Sequence, residues 1–380
     1  MARLLLDKYK AVIRPGSLVR LELRGYGLIS QNVLQIWSKH VDLSTLRILK
    51  LQSDVQGEAL SWAVANCNLH SLTTLVLEKL PAGDWHHISN SFFRSMLPLT
   101  TLRVGGNLSR GTFEAIVEHH GKFLRQLWLS STADIDQLVF KHSQIDKIRQ
   151  HCLILEDLTL PVPRSKGDAQ ELAIYRTLGA LPKLQKLFLI LDSSNLSVLV
   201  DNDLEVPNDA SFDEFGKQFF PLDMRITRPG PRNGHVRAAL INSALDETLA
   251  RAIFQTISTS KARNAFPLEY LKLRPIGGGV FGKAIYLPGL SGSDGLAGVL
   301  SNIGRSWLLV RNPRDDCRVE VIAKQLGWRE REGNKAGGYR PLSQALKPIF
   351  RKIWPKKQDT TGAWHDDWYN DWYSWPLPVS

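Results

Sequence analysis

Cysteine is scarce in this chain. Only Cys67, Cys152 and Cys317 occur among 380 residues, far apart and odd in number. Such a set makes no disulfide framework and fits a reducing compartment, so cytoplasm and/or nucleus is the expected location. Apolar runs of about 18 residues are missing, which removes a transmembrane helix and with it a membrane partner. The first residues carry Leu4 to Leu6 but neither a full apolar core nor a small-residue cleavage site, which argues against secretion. Catalytic and metal signatures are missing as well: there is no GxSxG elbow, HExxH helix or paired-cysteine zinc site. The doublets His86-His87 and His119-His120 are adjacent, so each points to two faces of a helix; His120 is expected to pack and His119 to be solvated. Cys152, just before Leu155, reads as a small buried thiol at a helix-to-strand junction, and Cys67 reads the same way. The expectation is a protein that is not an enzyme and uses no cofactor.

What the chain has in abundance is a period. Leu-x-x-Leu-x-Leu or a near copy recurs at Leu18, Leu46, Leu72, Leu99, Leu124, Leu155 and Leu184, with an eighth copy at Leu268. The step of about 25 to 31 residues is that of leucine-rich repeats. Alternation puts the last two leucines of each copy on one face of a short strand. One unit cannot bury that face alone, whereas stacked units can. The predicted fold is α/β: a leucine-rich-repeat solenoid, or horseshoe, with parallel strands on the concave face and helices on the convex face. Helices are predicted over Ser30–Val41, Gly57–Cys67 and Thr112–His120, and over Ser243–Ile257 behind a Ser243-x-x-Asp246 cap.

The organisation follows from where the period holds. Residues 1–14 read as a flanking helix, 15–191 as regular repeats, and 192–237, with its proline and glycine clusters, as an irregular insertion of the kind that sits at binding surfaces. Residues 238–327 read as degenerate repeats, closing with a strand over Trp307–Val310 and a short helix over Glu320–Leu326. Residues 328–380 read as a basic linker and a tail rich in tryptophan. If helical, the tail puts Trp364, Trp368, Trp372 and Trp375 on one face, suited to capping the array or entering a partner groove.

Acidic residues are few between Lys261 and Lys357, where 19 Lys and Arg meet 7 Asp and Glu, although the whole chain carries +11. Such a patch can attract nucleic acid or an acidic protein, which makes a basic nucleic-acid-associated protein acting through 261–357 the alternative reading. The stretch Gly277-Gly278-Gly279-Val280-Phe281-Gly282-Lys283-Ala284 nearly matches two phosphate-binding patterns. Ala284 occupies the place of the magnesium-holding hydroxyl and Pro288 blocks a following helix, so an ordinary loop is expected.

In a stacked array the residues beside the inward leucines line the concave surface, the usual place for a protein partner. Trp128, Phe188 and Tyr270, with Arg103, Lys272 and Arg274 around them, have the composition of interface anchors in a polar surround. Arg20, Arg24 and Lys50 place further charge on the first copies. The competing reading is that Trp128 and Phe188 are covered by the insertion or the tail.

Leu5-Leu6-Asp7-Lys8-Tyr9, Asn32-Val33-Leu34-Gln35-Ile36-Trp37-Ser38, Leu46 to Leu51 and Trp62-Ala63-Val64-Ala65-Asn66-Cys67 resemble the repeat region of filamentous-fungal F-box and leucine-rich-repeat proteins. The likeness extends through Asn233-Gly234-His235-Val236-Arg237 and Leu245-Asp246-Glu247. It implies a substrate-recognition subunit of a Skp, cullin and F-box ubiquitin ligase, with the repeats holding a protein target. No F-box is found in the chain, so ligase docking would require one upstream. The expected function is a non-catalytic protein-recognition scaffold, the substrate-binding part of such an adaptor.

Overall fold

Every Leu-x-x-Leu-x-Leu copy becomes a strand, since an extended backbone puts two alternate leucines on one face. The computed structural model describes residues 16–81, 85–106, 108–130, 140–195, 198, 211–221, 231–281, 295–314, 320–327, 342–357 and 368–378. The chain divides into two units, Met1–Leu138 with Gln150–Glu156, and Val139–Arg149 with Asp157–Ser380.

In the first unit the strands are β1 (Arg20–Ile29), β2 (Ile48–Val55), β3 (Thr74–Leu80), β4 (Thr101–Gly106) and β5 (Gln126–Leu129). Neighbours in sequence pair in parallel. The register aligns Leu21, Leu49, Leu75, Leu102 and Leu127 in one row and Leu23, Leu51, Leu77, Val104 and Leu129 in another, all buried. Parallel neighbours need a crossover, and α1 (Gln31–His40), α2 (Gly57–Asn66), α3 (His86–Ser95) and α4 (Arg110–His120) supply it. Three of these match their predicted spans closely. Helix α4 buries Phe113, Ile116 and Val117 completely, and Ser109 caps it by accepting from the Thr112 N–H.

The second unit holds β6 (Asp157–Pro163), β7 (Lys186–Asp192) and β8 (Tyr270–Ile276) in parallel, and β9 (Ser306–Arg311) and β10 (Val321–Leu326) antiparallel beyond β8. The helix predicted over Glu320–Leu326 is therefore a strand, paired along its length with β9. Helix α5 (His142–His151) precedes β6, and α6 (Ala169–Gly179) links β6 to β7. The insertion contains a short helix α7 (Glu214–Lys217) before α8 (Asn233–Ser243). The expected Ser243 cap is also corrected. Ser243 ends α8, and Asp246 caps the next helix, α9 (Glu247–Thr259), by accepting from Leu249 N–H at 2.9 Å. Helices α6 and α9 pack so closely that a side-chain carbon on Gly179 would lie 2.4 Å from the Ile257 carbonyl oxygen.

A second hydrophobic cluster of this unit gathers α8, α10 (Leu296–Ile303), α11 (Leu346–Ile353), Val198 and Phe220 of the insertion, and the tail residues Trp368 and Trp372. The tail is not one helix: α12 spans Trp368–Asp371, and residues 372–378 are in neither helix nor strand. Its tryptophans consequently separate, Trp368 and Trp372 buried and Trp375 39% exposed. The flanking segment 1–14, the linker 328–341, Cys317 and Trp364 lie outside the described residues.

Candidate partner-binding surface

Alternation leaves the residues between the buried leucines on the opposite sheet face, which is open except at the buried Val76 and Thr159. In the first unit the register places Glu22, Lys50, Val76, Arg103 and Trp128 in one row. Glu22 is clasped by Arg20, whose Nη2 lies 2.7 Å away, and by Arg24. These contacts, Arg20 first, hold its carboxyl below the usual glutamate range, with Lys50 adding attraction. Glu78 accepts from Gln52 Nε2 at 3.3 Å and lies 4.0 Å from Arg103. The Arg103 guanidinium stands 3.9 Å from the Trp128 ring centroid. Arg20, Arg24 and Arg103 thus neutralise carboxylates of their own face or cover its aromatic ring, while Trp128 remains half-buried rather than sealed.

In the second unit an open groove of about 380 Å³ is lined by Asp157, Thr159, Lys186, Leu187, Phe188, Tyr270 and Lys272. Phe188 and Lys272 are register partners, and the Lys272 ammonium sits 4.5 Å from the Phe188 ring centroid. Burial raises the Asp157 carboxyl, and the positive charge of Lys186 opposes that rise. Three predicted anchors, Phe188, Tyr270 and Lys272, are brought together here. Arg274 lies one row further along, beside Ile190, and does not line the groove. Asp157 and Lys186 were not among the predicted anchors, although their place in the two-residue alternation marks them as outward-facing. The competing reading that the insertion or tail covers Phe188 is not met among the described residues. Val198, Phe220, Trp368 and Trp372 pack into the α8 cluster, and strand residues alone line the groove.

Other polar clusters serve structure. Glu171, buried on α6, accepts from Arg164, from Tyr175 Oη at 2.8 Å, and from the backbone N–H groups of Ser165 at 2.8 Å and Gly167 at 3.0 Å. A carboxylate with four donors has no acceptor capacity left for a substrate. Arg164 also donates to the Asn242 carbonyl at 3.2 Å, fastening the end of β6 to α8. Burial, then Glu171, pushes the Tyr175 phenol well above its ordinary value. None of these residues stood out in the sequence, since a buried charge network has no spacing signature.

His120 is fully buried, and its Nδ1 accepts from Leu99 N–H at 3.2 Å. Burial, then His119, lowers its pKa to about 4, against a weaker opposing contact with the Phe93 backbone. His119 is half-buried, with Nε2 2.7 Å from the Met96 carbonyl oxygen, rather than simply solvated. Burial pushes Cys152 up to about 12 and Cys67 to about 11, which makes both thiols inert packing groups.

The glycine stretch begins in a turn. Gly277 has φ +78°, and a side-chain carbon there would lie 2.2 Å from Ser194 Oγ, so the chain needs glycine to pass the end of β7. Residues 282–294, including Gly282, Lys283 and Ala284, lie outside the described residues. Among the described residues no three His, Cys, Asp or Glu side chains are grouped to hold a metal ion, and no helix is long and apolar enough to cross a membrane.

Several cations of the basic segment are engaged internally. Lys261 Nζ donates to the Leu181 carbonyl at 3.0 Å, Lys352 pairs with Asp213 at 2.8 Å, Lys357 Nζ donates to the Asn370 carbonyl at 3.0 Å, and Arg351 pairs with Asp371.

No protein-family model matches the chain, and a search of curated proteins gives no match. The fold and site define a mixed α/β protein with largely parallel strands and an aromatic and cationic groove on an exposed sheet face.

Proposed function

We propose that the chain is a non-catalytic protein-recognition scaffold, in which the Leu-x-x-Leu-x-Leu copies are leucine-rich repeats and the exposed strand faces hold a protein target. The observation that carries this reading is the groove in which Phe188 meets Tyr270 and Lys272 of a strand far along the sequence, without a covering segment among the described residues. Half-buried aromatics with cations around them are the composition of interface anchors. Two further facts support repeats: the same two positions are buried in each copy, and the copies pair in register within each unit. The likeness to F-box and leucine-rich-repeat proteins gives this scaffold its most specific form, the substrate-binding part of a ubiquitin ligase adaptor. The nucleic-acid alternative draws on residues 261–357, in which Lys261, Arg351, Lys352 and Lys357 bond within the chain while Lys272, Arg274 and Lys324 stand on the strand face proposed for the protein target.

Affinity capture with the full chain tests the proposal. A specific protein should be recovered by the wild type and lost with Phe188→Ala or Tyr270→Ala. Unchanged recovery with both variants would remove the proposed surface.

A further inference from the structure

The exposed sheet face of the second unit extends beyond the groove. The register places Asp157, Lys186, Tyr270, Val310 and Ile322 in one row and Thr159, Phe188, Lys272, Leu308 and Lys324 in the next. At a strand spacing of about 4.8 Å each row is roughly 19 Å long, enough for several residues of an extended peptide.

The rows are apolar at Phe188, Tyr270, Leu308 and Val310, and Ile322 is 48% exposed at the edge strand. Around them stand Lys186, Lys272, Arg274 and Lys324. Among the described residues none of these four cations is in an ion pair. Asp157 is the one carboxylate in either row, and Lys186 already offsets its charge. Such a surface holds more cations than carboxylates and offers apolar seats between the cations. Electrostatic complementarity therefore selects an acidic partner, and the apolar centre selects side chains over phosphates. Stacked bases are disfavoured for a geometric reason: the Lys272 ammonium already occupies the Phe188 ring.

We propose that this face binds an extended acidic segment of a partner protein, its carboxylates meeting Lys186, Lys272 and Lys324 and its apolar side chains seated on Tyr270 and Leu308. The inference rests on the recognition function proposed above and names the chemistry of what is recognised.

Fluorescence anisotropy on the full chain tests it with labelled peptides of one alternating Leu and Trp pattern, carrying Glu, Gln or Lys between, and with oligouridine. The Glu peptide should bind about tenfold more tightly than the Gln peptide, and weaken as salt rises. Lys186→Glu with Lys272→Glu should lose about tenfold or more, whereas Lys356→Glu, outside this face, should change little. Lys186 is exposed, so its single variant preserves the fold and keeps the test decisive. Equal loss with Lys356→Glu would reduce the effect to the chain's overall charge and overturn the proposal. Equal binding of the Gln peptide, or preference for oligouridine through the same lysines, would also overturn it. The two readings fail separately. If a captured partner needs Phe188 but contacts it through a segment without acidic residues, recognition stands and the acidic assignment falls. If the Glu peptide binds through the lysines while capture ignores Phe188→Ala, the recognition reading falls.

Discussion

Single buried polar residues decide how this protein responds to acid and to loss of charge. His120 is neutral in the fold, with Nδ1 committed to Leu99 N–H and its pKa lowered from 6.5 to about 4. Between those values the unfolded chain binds the proton and the folded chain does not, so stability present above pH 6.5 drains as pH falls toward 4. Urea unfolding at neutral and acidic pH should show the wild type losing on the order of 2 kcal/mol more than His120→Gln, which keeps an acceptor without the titration. Equal losses would place the acid sensitivity elsewhere. Glu171 poses the complementary case. Glu171→Gln leaves the Arg164 charge buried beside a neutral group and should cost about 3 to 5 kcal/mol by urea denaturation. Replacing both partners with apolar residues should cost less than that single change, because the unpaired charge is what destabilises.

At the scale of elements, the leucine copies were legible because burial on one strand face demands a two-residue period, and α1, α2 and α4 because their apolar residues recur every helical turn. The failures have equally local causes. Val321-Ile-Ala-Lys-Gln-Leu is rich in helix formers, yet it lies beside β9 and takes its hydrogen bonds from that strand, so tertiary pairing overrides propensity. Ser243-x-x-Asp246 had the form of a cap, but Asp246 sits three residues before Leu249 N–H, the geometry of the actual helix start. A helical tail would share one tryptophan face, whereas specific anchors hold the described part of the tail. Ser374 N–H donates to Asp246 Oδ2 at 2.9 Å, Trp354 Nε1 to the Tyr373 carbonyl at 2.9 Å, and Arg305 lies 4.6 Å from the Trp372 ring centroid. This segment completes a core, so its tryptophans should differ sharply. Trp368, 2% exposed, should cost about 3 to 5 kcal/mol on change to alanine, and Trp375, 39% exposed, about 0.5 kcal/mol or less, in thermal or urea unfolding. Equal, small effects would mean that the tail does not cap the α8 cluster.

For the molecule as a whole, the recurrence of one pattern made the α/β architecture readable without any relative. The groove was partly readable. Phe188, Tyr270 and Lys272 followed from alternation, while Asp157 and Lys186 acquired importance only when the register of β6, β7 and β8 set them side by side. Arg20, Arg24 and Arg103 carried the right chemistry in sequence, but Arg20 and Arg24 close on Glu22 of their own strand, and the carboxylate and ring contacts of Arg103 depend on neighbours across the sheet. Recognition through strand faces is the central claim, and site-specific photo-crosslinking tests it most directly. A photoreactive phenylalanine placed at Tyr270 should give a saturable crosslink to a discrete partner in extracts of the source cells, and the same group at Gln255, exposed on α9, should not. Crosslinks from Gln255 alone, or the same diffuse products from both positions, would contradict the account.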